Sequence, residues 1–438
     1  MPTTSKKISL VLLLLAVWLN GQSGLTAQRL NNGLEVYHMP FKGSEFVSLT
    51  LIFDAGPSHQ TPGQNGISRL AANFINTSPI AATGAFVETH LRSEGYSLLV
   101  TSAADSIGPV IRTLAAVFDG VQANNIEFLD VQNRASRWIE RTYDSNTFRA
   151  QRGLLQALWG DQWQRKDPIG DSPLVSSIGL GEVVDWNSLY IVPRNCALII
   201  VGDLDDDQLT EYVESSLEAL PSGENHITTD EGVTFPYLIN DVDTLVVTDP
   251  VSPMITLAWQ GPGFGQDQAG TYAARVFVEL LNNESGVFQQ NVRATRNFVR
   301  VKAEFEPSKY LSTIILRCYP DPGYGAETAE VIEQILDDYT SSGNYSRAQI
   351  IDARKRARIA HTSLTQSPTL LVRALAEAWA RGELDTFDQF EAAIAGVNRT
   401  EIERFAANYI VGQPRVGAYA MKAKDFQPLR KYEYEGEN

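Results

Sequence analysis

The sequence predicts an α+β fold of two tandem homologous domains, each a mainly antiparallel sheet packed with helices. Three observations carry this expectation. The chain has 438 residues, more than one hydrophobic core usually serves. A diverged repeat runs through it. Within each half, strand-like runs gather at the ends and helical periodicity fills the middle.

The repeat is read at both ends of each half. Ser48 to Gly56 is strand-like and leads through a Gly/Pro/Gln turn into the helical stretch Gly66 to Ile75. Met254 to Gly261 leads likewise through Pro262 to Gln268 into Gly270 to Glu279. Tyr190-Ile-Val precedes a β-branched run ending at Gly202, and Tyr409-Ile-Val precedes one ending at Met421. The resulting expectation is a first domain over residues 28–220, a linker over 221–243 rich in Gly, Thr, Asp and Glu, a second domain over 244–426, and a charged, flexible tail over 427–438.

In chain order, Lys6 and Lys7 precede an apolar run from Ile8 to Leu19, then polar Asn20 to Ser23 and a small residue at Ala27. That layout reads as a secretory signal peptide over 1–27, too short in its apolar part to span a membrane, with the mature chain starting near Gln28. It places the protein across the inner membrane, in the periplasm, with no integral membrane segment after cleavage. Leu34 to His38, Val47 to Phe53 and Ala197 to Val201 read as strands. Ile107 to Phe118, Asn125 to Trp138 and Ala326 to Tyr339 carry apolar residues at three and four spacing, as helices do. Arg354, Lys355, Arg356 and Arg358 sit in a further helical stretch and read as a solvated face, and Asp203 to Asp207 as a solvated acidic loop.

Composition excludes several functions. A net charge of −16 argues against nucleic acid and anionic membrane partners, which need a basic footprint. The only cysteines, Cys196 and Cys318, lie in apolar runs of different halves and read as buried free thiols. His38, His59, His90, His226 and His361 form no ligand-like spacing. There is no Gly-x-Ser-x-Gly elbow, and the Gly261 to Gly265 stretch lacks the Lys-Ser/Thr of a phosphate loop.

Taken in order, the Leu30 to Leu34 start, Asp54 to Ser58, the helix from Gly66, Ser93 to Tyr96 with Thr101-Ser102, and Pro193 to Asp203 resemble the insulinase/pitrilysin-type peptidases, the inverted zincins. The resemblance runs from about Arg29 to Met421 and is to the half-length, two-domain branch that includes processing-peptidase subunits. Active relatives carry His-x-x-Glu-His after the glycine matching Gly66. Here the ligand positions hold Arg69 and Asn73, and the general-base position holds Ala72. Arginine has no lone pair to give a metal, and alanine is neither base nor ligand.

The resemblance also implies a third ligand, a glutamate, on a later helix. Glu140 is the candidate relic, with Trp138 and Ile139 as alternatives in register. It implies as well an arginine in the second half that reaches substrate, with a tyrosine seven residues on. Arg293 fits the first; Arg300 stands where the tyrosine belongs, beside Phe298. The expectation is a chain with no catalytic residues, no metal and no cofactor. It would pair with a zinc-bearing homologous peptidase subunit, or with itself, and help form a peptide-binding chamber. The alternative is a stand-alone peptide-binding or scaffold protein.

Overall fold

The computed structural model describes residues 24–223, 235–247, 253–321, 323–341, 344–422 and 425–426. Most of the expected signal peptide, the middle of the linker with His226, and the tail lie outside the described residues.

The first half forms a six-stranded sheet from β1 (Thr26–Arg29), β2 (Glu35–Pro40), β3 (Phe46–Phe53), β4 (Phe86–Leu91), β5 (Tyr96–Ala103) and β6 (Cys196–Gly202), in the order β1-β2-β6-β3-β5-β4. The second half forms a five-stranded sheet from β7 (Val242–Val247), β8 (Met254–Gly261), β9 (Phe298–Glu306), β10 (Ser312–Pro320) and β11 (Val416–Met421), in the order β7-β11-β8-β10-β9. Without β1 the two orders are the same. Each sheet has one parallel pair, β2 with β6 and β7 with β11, and is otherwise antiparallel. The α+β repeat expected from the sequence is therefore present strand for strand.

Two of the expected boundaries fall within or beside ordered elements. β1 starts at Thr26, which pairs with His38, so a mature chain beginning at Gln28 retains only half of this edge strand. The end of the expected linker is packed rather than free. Phe235 is buried with its ring 5.2 Å from that of Trp159, and β7 begins at Val242, before the expected domain start at 244. Apolar surface at Phe235 and the open side of β11 account for this: each leaves water by joining the second sheet.

The halves are tied by an exchange of helices. The helix Asn146–Trp159 of the first half packs on β7, β8 and β11 of the second, burying Leu154, Leu158 and Trp159 against Ala258, Ile315 and Val416. The helix Pro368–Arg381 of the second half packs on β3 and β6 of the first, burying Leu371, Val372 and Leu375 against Ile52, Ala197 and Ile199. Each sheet's other face carries helices of its own half. Covered on both faces, β6 and β11 are buried at every residue, which explains their unbroken apolar sequence. Cys196 and Cys318 are both buried and free, one in each sheet.

Polar groups seal the junction. Lys166 donates from Nζ to Ser308 Oγ at 2.6 Å and to the Leu311 carbonyl at 3.1 Å, and Ser308 Oγ donates to Glu94 Oε1 at 2.6 Å. Ser48 Oγ lies 2.9 Å from Thr369 Oγ1, and Trp379 Nε1 donates to Glu35 Oε2 at 2.8 Å. The acidic run at 203–207 is structural rather than loose. Asp205 caps the helix Asp206–Leu217, and Asp206 meets His38 Nδ1 at 2.6 Å. The basic stretch of the helix Arg347–Leu364 is partly paired, Arg356 with Glu279 and Asp352, and Arg358 with Glu391.

Candidate functional site

The degenerate motif occupies a six-residue helix, Ile67–Ala72, with Asn73 as its C-cap. Gly66 precedes it at φ 103°, a left-handed conformation that favours glycine. Because Gly66 has no capping side chain, the buried Gln60 supplies one. Its Oε1 accepts from the backbone N–H of Gly66 at 2.8 Å and of Ser68 at 3.3 Å, and from Ser68 Oγ at 3.2 Å. A Cβ on Gly66 would stand 2.4 Å from Val175 Cγ2, and one on Gly170 would stand 2.8 Å from Gly66 Cα. The two glycines let the 167–170 loop lie directly against the start of the helix.

Asp167 holds that loop. Its carboxylate accepts from the N–H groups of Ile169 at 2.9 Å and Gly170 at 3.2 Å, from Asn65 Nδ2 at 3.3 Å and from Tyr143 Oη. Burial pushes the Asp167 carboxyl above its usual value, and the Ile169, Asn65 and Gly170 donors oppose the shift. The loop presents the carbonyls of Pro168 and Ile169, and both are taken by Arg69. Nε donates to Pro168 O at 2.9 Å and to Ile169 O at 3.2 Å, and Nη2 to Pro168 O at 2.5 Å. The other side of the guanidinium stacks on Trp138, with its carbon 4.2 Å from the ring centre. Burial pulls Arg69 below the usual arginine value, countered by Asp167 and Tyr143.

Trp138, not Glu140, is thus the residue of the helix Asn125–Tyr143 that faces the first motif position. Glu140 points elsewhere and accepts from Ser172 Oγ at 2.8 Å, and Ile139 is buried in the core. Of the three register alternatives it is Trp138 that stands beside Arg69: two residues along a helix is a rotation of about 200°, which turns Glu140 to the opposite side. Asn73 turns its amide back, Nδ2 donating to the Arg69 carbonyl at 2.8 Å, and Ala72 contributes only a methyl group. A cation, a methyl, an amide and an indole do not fit a zinc ion. Among the described residues, no group of three His, Cys, Asp or Glu side chains is placed to hold a metal.

Arg293 lies on the helix Val287–Thr295, and Nη1 pairs with Glu284 Oε2 at 2.8 Å while Nη2 donates to the Glu284 carbonyl. Both partners are local, so its described contacts do not join it to Arg69. Phe298 is buried at the start of β9, and Arg300 lies on that strand opposite Tyr319.

The sequence reading missed the surroundings of Arg69. A surface cavity of about 600 Å³ is lined by Arg69, Asn73, Val131, Arg134, Ala135, Arg137, Trp138 and Arg141. The signal was present: arginines at 134, 137 and 141 follow the i, i+3, i+7 spacing of one helix face.

Comparison with known proteins agrees with this architecture. Residues 177–352 match the family model described as the peptidase M16 inactive domain, a stretch that joins the two halves and does not include Arg69 to Asn73. A protein named as a probable zinc protease, PqqL of Haemophilus influenzae, is 24% identical over 232 residues, which is 46% of this chain and 23% of that protein. The zinc protease PqqE of Helicobacter pylori is 23% identical over 231 residues, 48% of this chain and 51% of that protein. The matches span about half, or less, of the length of these relatives.

Among solved structures, a protease from Helicobacter pylori superposes with a TM-score of 0.81 at 16% identity, covering 91% of this chain and 99% of that one. A peptidase M16 inactive domain from Pseudomonas fluorescens gives 0.79 at 15%, covering 93% and 100%. The first half of the periplasmic protease PqqL from Escherichia coli gives 0.73 at 14%, covering 91% and 92%. These likenesses are of fold, while the family model and the two relatives are matches of sequence. The sequence kinship thus stands on residues 177–352, which match the peptidase M16 inactive domain, and on partial similarity to two proteins named as zinc proteases.

Proposed function

We propose that the chain is a non-catalytic M16 subunit of the periplasm, which pairs with a zinc-bearing homologous peptidase and helps form a chamber for extended peptides. The observation that carries this reading is the Arg69 guanidinium, held between the Pro168 and Ile169 carbonyls and the Trp138 ring where active relatives place a ligand. A fixed cation there repels a divalent metal and donates where a ligand must accept. Periplasmic relatives among the fold neighbours and the lysine-then-apolar start of the sequence support the location.

Peptide binding is supported by β4, which among the described residues pairs only with β5 and leaves one edge of the first sheet open, with Phe86 exposed at its start. The test is purification of the tagged mature protein from its native source, followed by peptidase assay. Recovery with a zinc-bearing two-domain homologue, whose activity depends on this chain, is the expected result. Recovery of this chain alone and inert would instead favour a stand-alone peptide-binding protein. That second reading draws on Arg300, which stands where a substrate-contacting tyrosine is expected.

A further inference from the structure

The cavity beside Arg69 is at odds with the chain around it. The protein carries a net charge of −16, yet among the described residues four arginines and no carboxylate line this cavity. Arg134 is paired with Asp130 on its own helix. Arg137 and Arg141 have no carboxylate partner among the described residues; Arg141 Nε donates only to the Arg137 carbonyl at 3.1 Å. Both are exposed, one helical turn apart, which sets their side chains next to each other. Trp138 lies between them in sequence, 41% exposed, and the part of its ring that meets Arg69 is held in place by that stack.

Like charges so arranged repel each other, and an anion that bridges them relieves the repulsion. Guanidinium groups present paired donors that match the two oxygens of a carboxylate. The cavity is of a size that takes a small ligand or a few side chains, with an indole wall for apolar contact. A polyanion is a poorer occupant, because the rest of the chain repels it over its length. We infer that the cavity around Arg69, Arg137 and Arg141 binds the carboxylates of peptides, so that the lost metal site serves as a selector for acidic segments or free C-termini. This inference rests on the peptide-binding part of the proposed function and names the peptide class.

The test is fluorescence anisotropy on the full mature protein with a fluorescein-labelled extended peptide of neutral residues that carries two glutamates near a free C-terminus. Two further probes replace every glutamate with glutamine or amidate the C-terminus. Roughly tenfold weaker binding is expected for at least one of them, and for the R137Q/R141Q variant with the original peptide. The R137K/R141K variant should keep part of the affinity, since it keeps the charge and loses only the paired geometry. Loss with the glutamine peptide assigns the site to acidic side chains, and loss with the amidated one assigns it to the C-terminus. Equal binding of all three probes overturns the carboxylate site while leaving peptide binding intact. Binding of none overturns both readings. Displacement of the peptide by a single-stranded oligonucleotide at equal charge overturns the preference for peptides.

Discussion

The Arg69 guanidinium carbon stands 4.2 Å from the centre of the Trp138 ring, and this stack fills the space beside the first motif position. Both members are therefore obstacles to zinc. The R69H/A72E/N73H variant restores the three motif residues but leaves an indole against the first of them. It is expected to retain no stoichiometric zinc after dialysis, as measured by plasma mass spectrometry. Adding Trp138→Glu should produce a zinc-retaining chain. Stoichiometric zinc in the triple variant would mean that some residue other than one at 138 completes the site.

Gly66 meets two constraints at once, φ of 103° and a crowded approach in which a Cβ would stand 2.4 Å from Val175 Cγ2 and 3.3 Å from Gly170 Cα. Gly66→Ala must strain the backbone and displace Val175, whose Cγ2 would be 2.4 Å from the new atom. The expected cost is about 2 kcal/mol or more in urea denaturation. Gly181, whose Cβ would meet nothing within 4 Å, makes the control: Gly181→Ala should be neutral or slightly stabilising in its helix. Equal effects of the two substitutions would remove the special role given to Gly66.

Much of this was legible in the sequence, and what was not had physical reasons. The repeat predicted the matching strand orders because strands, turns and glycines keep local signatures. The helix exchange left no such trace. Leu371, Val372 and Leu375 show that one face of their helix is apolar, but periodicity does not say which sheet covers it. The register of the third-ligand position stayed open for a different reason. A difference of two residues is small in a sequence comparison and large on a helix, and it separates Trp138 over Arg69 from Glu140 over Ser172.

Cys196 and Cys318 are each enclosed in a sheet, and burial pushes both thiols well above the ordinary cysteine value. The thiolate is the reactive species, so neither should form a mixed disulfide while the chain is folded. Titration with a thiol reagent is expected to find no reactive group in native protein and both in guanidinium. A reactive thiol under native conditions would show that one of the sheets opens locally.

Glu94 and Lys166 make the junction between the halves sensitive to acid. Their side chains are 12% and 9% exposed and approach to 3.9 Å, with Ser308 of the second half bonded to both. Burial alone would raise the Glu94 carboxyl, but Lys166, Ser308, Ser93 and Arg381 together hold it below its usual value near 4.5. A carboxyl lowered by folding stabilises the fold above its unfolded value, and that contribution is lost as pH falls through the lower folded value. Glu306 titrates in the opposite sense, raised by burial, so the wild type alone does not isolate Glu94. Comparison with Glu94→Gln does. Near neutral pH the variant leaves the Lys166 ammonium buried without its carboxylate and should lose about 3 kcal/mol in urea denaturation. Below about pH 4.5 the gap between wild type and variant should narrow, because protonation removes the same charge from the wild type. A gap that stays constant down to the acid unfolding limit would mean that the Glu94 carboxylate contributes through shape and hydrogen bonding rather than through its charge.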